Sequence, residues 1–112
     1  MNKFFTFDQN NSGGKFDVYL EEGISETVII EAADYTQAND RAEEIGLYFD
    51  GCENGFDCEC CGDRWSRAWG DDEGYDIPTL YGEDVYEAKS GWYRDVVFIH
   101  YLDGKIEKVK LN

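Results

Sequence analysis

All four cysteines of the chain lie in one short segment, and their spacing is typical of a metal site. Cys58 and Cys61 have CxxC spacing and are followed by Gly62, a residue that permits the tight turn from which two thiolates bind one ion. Zinc prefers four ligands in a tetrahedron. We therefore predict a zinc-knuckle-like loop over residues 50–65. The predicted ligands are Cys52, Cys58, Cys60 and Cys61, with His100, the only histidine, as the alternative to Cys60.

Other interpretations of these side chains stay open. A closed site of four cysteines would be structural, whereas three protein ligands and a water would leave an open, catalytic position. Cysteines without a metal serve as small core residues. A redox role for the CxxC pair is disfavoured because acids surround it, whereas reactive cysteines lie near positive charge. For His100 taken alone, a hydrogen-bonded core position is the expected role.

Two tryptophans and two arginines follow the cysteines directly. Trp65 and Trp69 have the i, i+4 spacing of a short amphipathic turn, which would pack the loop on a sheet. Arg64 and Arg67 are expected to pair with the acids around them. The functional alternative is an aromatic and arginine pocket that stacks a nucleotide. Its other members would be Tyr75, Trp92 and Arg94.

The net charge of the chain is strongly negative and unevenly distributed. It is −15, from 25 acidic and 10 basic residues. Between Glu43 and Glu87, 14 acids accompany only two bases, so this segment carries −12. Such a field repels nucleic acid and anionic lipid and favours a basic protein surface, although it also serves simply for solubility. The residues predicted to bind a ligand or partner are Arg64, Trp65, Trp69, Asp71, Asp72, Glu73 and Asp76.

Length, composition and hydrophobic pattern predict one α+β domain over residues 1–112, with a mainly antiparallel sheet and one helix. The aromatic share of 16 % argues against disorder. Asp34 and Gln37 resemble a capping box, and Gly46 is placed to end the helix. Its apolar face would be Tyr35, Ala38, Ala42 and Ile45. Strands are expected over residues 3–7, 16–20, 26–32, 47–49, 85–88, 94–101 and 105–111.

Residues 70–84 are acidic and glycine-rich, and we expect an irregular surface loop there. Ile77, Leu80 and Tyr81 would attach it to the core. No apolar run reaches the length of a membrane span, and the first residues are too quickly polar for a signal peptide. We therefore expect a cytoplasmic protein whose thiols are kept reduced, which favours metal binding over disulfides.

Three segments resemble a family of small uncharacterised proteins of tailed bacteriophages. They are FFTFDQNNSGG near the start, AEEIGLYFDGC in the helix and DCECCGDRW around the cysteines. The resemblance covers about residues 3–65, and the cysteine segment is its most specific part. Relatives often have a proline where this chain has Glu59. The resemblance implies a viral accessory protein made in the bacterial cytoplasm during infection, and it implies no catalytic residues.

These observations lead to three hypotheses of function. The first is a non-enzymatic phage protein that binds a host protein through its acidic surface and inhibits or redirects it, with a defence or nucleic-acid-processing factor as the expected target. The second is a binder that sequesters a nucleotide immune signal in the aromatic and arginine pocket. The least favoured is a metal-dependent enzyme, because the sequence contains no HExxH motif, no second histidine and no nucleophile–base pair.

Overall fold

The strand with the longest β-branched run lies in the interior of a four-stranded sheet. The computed structural model describes residues 2–10, 16–57, 62–80, 82–89 and 95–111. In chain order the elements are β1 (Lys3–Asp8), β2 (Thr27–Ala32), α1 (Tyr35–Ile45), β3 (Thr79–Leu80), β4 (Glu83–Asp84), β5 (Val96–His100) and β6 (Ile106–Lys110). β2 is buried on both faces, which is why its sequence reads as a continuous apolar run and not as an alternating one.

The strand order of the sheet is β1-β2-β5-β6. β1 pairs antiparallel with β2, and β5 pairs antiparallel with β6 through a tight turn at Gly104, whose φ is 94°. β2 and β5 pair in parallel, with Val28 opposite Phe98. A parallel pair requires a long crossover, and here the crossover contains α1 and the cysteine and acidic segments. The α+β class with a mainly antiparallel sheet is confirmed.

Both faces of the sheet are covered by apolar side chains. On the first face, Phe5, Phe7 and Ile30 pack with α1 and with Trp65. On the second face, Ile29, Val97 and Val109 pack with side chains of residues 80–88, the segment that contains the small β3–β4 hairpin. The region from residue 50 to residue 89 therefore contributes to both cores.

The ends of α1 follow the predicted capping chemistry. The Asp34 carboxylate accepts a hydrogen bond from the Gln37 backbone N–H at 2.8 Å, and Gln37 Oε1 accepts one from the Ala33 N–H at 2.6 Å. Gly46 ends the helix at φ 120°. Ala38 and Ala42 face the sheet and are fully buried. Tyr35, predicted on the same apolar face, instead lies at the helix start and is 36 % exposed.

Three predicted strands are wrong. Residues 16–20 are irregular and lead into a 3-10 turn at Leu20–Glu22. The Gln9 side chain occupies both backbone polar groups of Asp17, because its Nε2 donates to Asp17 O and its Oε1 accepts from Asp17 N. Residues 47–49 and 85–88 have buried apolar side chains but no strand partner. At these positions apolar side chains are buried by irregular backbone and not by a strand.

Residues 70–84 are largely irregular, as predicted, apart from the short β3–β4 hairpin. Leu80 does attach this segment to the core at 3 % exposure, whereas Ile77 is 48 % exposed and does not. Tyr81 lies outside the described residues. In the part of the chain that the structure describes, no helix has the length and apolarity needed to cross a bilayer.

Candidate functional site

The described part of the cysteine loop is a tight turn over residues 50–57. Its backbone is closed by bonds from Phe56 N and Asp57 N to Gly51 O, at 2.8 and 3.0 Å. Residue 51 must be glycine for steric reasons, because a Cβ at this position would lie 1.8 Å from Asp57 Oδ2. The turn therefore brings the Asp57 carboxylate back across the start of the loop.

Three of the four predicted metal ligands, Cys58, Cys60 and Cys61, lie outside the described residues. Cys52 is half-buried, and its backbone N–H donates to Asp63 Oδ1 at 2.9 Å. Among the described residues, no three His, Cys, Asp or Glu side chains are grouped as a metal site would require. What the structure defines is the base of the loop, where Asp63 ties the end of the cysteine segment to its beginning.

Arg64 is the centre of a buried polar network beneath this loop. The residue is 6 % exposed, and its Nε lies 3.1 Å from Asp17 Oδ2 and 3.6 Å from Asp57 Oδ1. Its NH1 donates to Gln9 Oε1 at 2.9 Å, and its backbone N–H donates to Asp57 Oδ2 at 2.8 Å. A buried cation requires such compensation. The predicted pairing with a local acid is confirmed, and two partners, Gln9 and Asp17, come from distant sequence.

Tyr48 links the arginine to the carboxylate in this network. Its hydroxyl donates to Asp57 Oδ1 at 2.7 Å and accepts from Arg64 Nε at 3.1 Å. Burial, followed by the hydrogen bond to Asp57, raises the pKa of Tyr48 to about 12. The phenol therefore stays protonated at neutral pH and keeps its donor on the carboxylate. This arrangement is that of a structural clamp, since every polar contact described here is internal.

His100, the alternative fourth ligand, is a core residue of β5. It is 1 % exposed, and its Nε2 lies 2.8 Å from Gly23 O, so this nitrogen carries the proton and donates. Burial lowers the pKa of His100 from its ordinary value of 6.5. Nδ1 is buried and finds no hydrogen-bond partner among the described residues. The expected hydrogen-bonded core role of His100 is confirmed.

The two tryptophans of the segment have opposite environments. Trp65 is 2 % exposed and forms an isolated antiparallel β-bridge with Gln9, the residue that follows β1. Trp69 is 65 % exposed. The predicted helical turn is wrong, because this segment is extended and irregular. Arg67 lies near Trp69, with its Cζ 6.0 Å from the ring centroid, and forms an ion pair with Asp50.

A groove of about 330 Å³ separates the start of α1 from residues 67–70. Trp69 and Tyr35 are the exposed aromatic side chains in its lining. Asn39 joins the two sides, because its Nδ2 donates to Ala68 O at 2.8 Å and its Oδ1 accepts from Ala68 N at 2.7 Å. The lining also includes Thr36, Asp40, Glu43, Arg67, Ala68 and Gly70. These two hydrogen bonds hold the two sides of the groove together.

The chain matches the model of a domain of unknown function, DUF7296, over residues 2–112. The chain belongs to this family. The match extends beyond residues 3–65, so residues 66–112 are as much a part of the family domain as the cysteine segment is. No curated protein and no solved structure matches the chain.

The acidic residues 71–76 of this DUF7296 domain directly follow the groove residues in the chain. Asp71, Glu73 and Asp76 are exposed, and Asp72 is half-buried with its Oδ1 accepting from Gly74 N at 2.9 Å. Asp76 pairs with Lys3. Within the described ranges, Asp71 and Glu73 have no basic partner. Gly70 connects this segment directly to the lining of the groove.

The structure divides the predicted binding residues into two sets. Arg64 and Trp65 are buried and hold the loop, whereas Trp69 and the four acids of residues 71–76 lie at or near the surface. Of the residues predicted to form a nucleotide pocket, Arg67 contacts the Trp69 ring, whereas Tyr75 pairs through its backbone with Phe4. Trp92 and Arg94 lie outside the described residues. Tyr35 was predicted on the apolar face of the helix, and no local sequence signal connects Tyr35, Asp40 or Glu43 to Trp69.

Proposed function

We propose that this protein is a non-enzymatic accessory protein of a tailed bacteriophage that binds a host protein and inhibits or redirects it. Its target would be a defence or nucleic-acid-processing factor with a basic surface. The phage origin is supported by the resemblance of three sequence segments, and the binding role by the distribution of charge. Membership of an uncharacterised family is consistent with both and identifies neither.

The proposal rests on the positions of the two basic residues between Glu43 and Glu87, the segment that carries −12 of the net charge. Of its two arginines, Arg64 is buried in an internal network and Arg67 is paired with Asp50. Asp71 and Glu73 are left exposed, without a basic partner among the described residues. The negative field of the segment is thus directed outward. Such a field accelerates association with a basic partner and disfavours nucleic acid and anionic membrane.

The proposal is tested by capture from lysate of the host bacterium with tagged protein at low salt and again at high salt. Specific partners should be lost progressively as salt increases, because screening weakens exposed charge pairs. The paired variant Asp71→Asn/Glu73→Gln should capture less, whereas Glu21→Gln/Glu22→Gln, the same charge change at another exposed site, should not. No captured protein at low salt, or equal loss in both variants, would contradict the proposal.

The alternative is that the protein sequesters a nucleotide signal. The observation in its favour is the contact between Arg67 and the exposed Trp69, since an arginine and an indole together can stack a base. Against it, Asp50 already compensates Arg67, and Asp40 and Glu43 line the adjoining groove. A thermal-shift panel of nucleotides tests it, and a flat response would count against this function.

We also propose that the four cysteines hold one structural zinc ion. The support is the geometry of the loop base, where the Cys52 amide and the Asp63 carboxylate hold the two ends of the cysteine segment together. Elemental analysis of protein purified without added metal should give about one zinc per chain, and chelation should lower the melting temperature, because zinc binding would then be part of the folding free energy. Less than about a tenth of an equivalent would contradict the proposal.

A further inference from the structure

We infer that the groove between α1 and residues 67–70 receives the cationic side chain of an arginine or lysine from the partner. This inference rests on the proposed function and specifies how a basic protein would be recognised. It concerns the aromatic groove lined by Tyr35 and Trp69, with Asp40 and Glu43 as its carboxylates.

The aromatic side chains supply the first part of the argument. Trp69 is 65 % exposed although it follows a segment that packs Trp65 completely into the core. An indole face attracts a cation within about 6 Å of its centroid. Trp69 already makes one such contact with the Arg67 guanidinium at 6.0 Å. Its large exposed area leaves room for a second cation from outside, and tryptophan is the aromatic side chain that binds cations best.

The charges of the lining supply the second part. Arg67 is compensated by Asp50, which lies outside this groove. Asp40 and Glu43 have no ion-pair partner within the described ranges. The groove therefore combines exposed aromatic surface with two carboxylates. An anionic ligand such as a nucleotide would meet repulsion there, whereas a lysine or arginine side chain would place its charge near the carboxylates and its stem on the rings.

Rigidity supplies the third part. The Asn39 side chain makes two hydrogen bonds to the Ala68 backbone, and Ala68 itself is buried against the core. The two sides of the groove are thus held together before any partner arrives, which reduces the ordering that binding requires. Asp71, one residue beyond Gly70, extends the negative charge from the groove to the acidic segment.

The experiment titrates capped hexa-arginine peptide into protein labelled with ¹⁵N at its tryptophans, with adenosine monophosphate as the anionic probe. The peptide should shift the indole signal of Trp69 saturably, and adenosine monophosphate should not. Trp69→Ala should weaken peptide binding about fivefold by calorimetry, and Trp69→Phe should restore most of it. The melting temperature of each variant verifies folding.

Matched variants separate the groove from the general negative field. Tyr19→Ala removes an aromatic side chain of 53 % exposure that lies beside two exposed glutamates, and it should leave affinity within about twofold. Asp40→Asn/Glu43→Gln should weaken binding more than Glu21→Gln/Glu22→Gln, which removes the same two charges at an exposed site outside the groove. Equal binding by wild type and Trp69→Ala, or a Trp69 shift with adenosine monophosphate alone, would overturn the inference.

The two proposals fail in different ways. A host protein captured equally by wild type and Trp69→Ala would overturn the groove as the contact while supporting the proposed function. Peptide binding that depends on Trp69, together with no captured host protein, would support the cation-binding groove and contradict the proposed function.

Discussion

Replacement of Arg64 by methionine tests whether the buried polar network holds the cysteine loop on the domain. Methionine keeps the length and the apolar stem of the side chain and removes the guanidinium. The change leaves Asp57, whose side chain is completely buried, without its cation. It also removes the donors to Gln9 Oε1 and to the Tyr48 hydroxyl.

The expected decrease in the free energy of unfolding follows from these lost contacts. Breaking a buried ion pair by removal of one partner costs about 3–5 kcal/mol, because the remaining charge stays buried. Gln9 Oε1 keeps the Asp17 N–H as a donor, and the Tyr48 hydroxyl keeps its hydrogen bond to Asp57, so neither neutral group is left unpaired and their lost bonds to Arg64 add little. We expect about 3–5 kcal/mol in total, a large part of the roughly 5–15 kcal/mol that stabilises a domain.

Urea unfolding followed by circular dichroism measures the effect, with the slope of the transition as a check that the denatured state is unchanged. Arg67→Met is the matched control, because its ion pair with Asp50 is about half exposed and should contribute less than about 1 kcal/mol. Asp57→Asn should recover part of the loss when combined with Arg64→Met, since it removes the orphaned charge. Equal midpoints for Arg64→Met and Arg67→Met would refute a clamping role for the network.

Two further predictions concern the contact between Gly23 and His100. Gly23→Ala should destabilise the domain by about 1 kcal/mol more than Gly104→Ala: both have positive φ, but only at Gly23 would a Cβ meet another side chain, His100 Cε1 at 2.9 Å. Equal urea midpoints of the two variants would contradict this. Because burial lowers the pKa of His100 below 6.5, the unfolded chain takes up the proton first as the pH falls. The difference in free energy of unfolding between wild type and His100→Gln should thus be constant above about pH 7. Below about pH 6.5 wild type should lose stability relative to the variant, by at most about 1.4 kcal/mol per pH unit. A difference that does not change with pH would contradict the prediction.

Local chemistry was enough to predict some of this fold from sequence. The helix ends at Asp34 and Gly46 depend on side-chain and backbone contacts within one turn, and the strand predicted over residues 26–32 follows from a run of β-branched residues. The failures arise where a distant residue determines the conformation. The Gln9 side chain organises residues 16–20, and the bridge from Gln9 to Trp65 replaces the helical turn that the tryptophan spacing suggested.

The same distinction applies to the candidate site. Between Glu43 and Glu87 the sequence has two arginines among 14 acids, and their pairing with acids is a correct expectation. The burial of Arg64 could not be predicted, because it depends on Asp17 and Gln9. Tyr35 has the correct helical spacing for the core, yet it lies in the first turn of α1, beside Gly70 instead of over the sheet. Cys58, Cys60 and Cys61 lie outside the described residues, so the zinc ligands stay a prediction from spacing.

The network around Arg64 and the groove at Trp69 are parts of one continuous segment, which relates the cysteine loop to the proposed binding surface. From the loop, the chain passes through Arg64 in the polar network, Trp65 in the core and Ala68 in the hydrogen bonds to Asn39. Trp69 is the next residue. Each anchor restricts the freedom of the following one, so the exposed indole is positioned by contacts that begin at the base of the loop. On this reasoning the loop contributes to function by fixing the groove and needs no chemistry of its own. A variant that loosens the network, such as Arg64→Met, should therefore weaken peptide binding at Trp69 even under conditions where the domain remains folded.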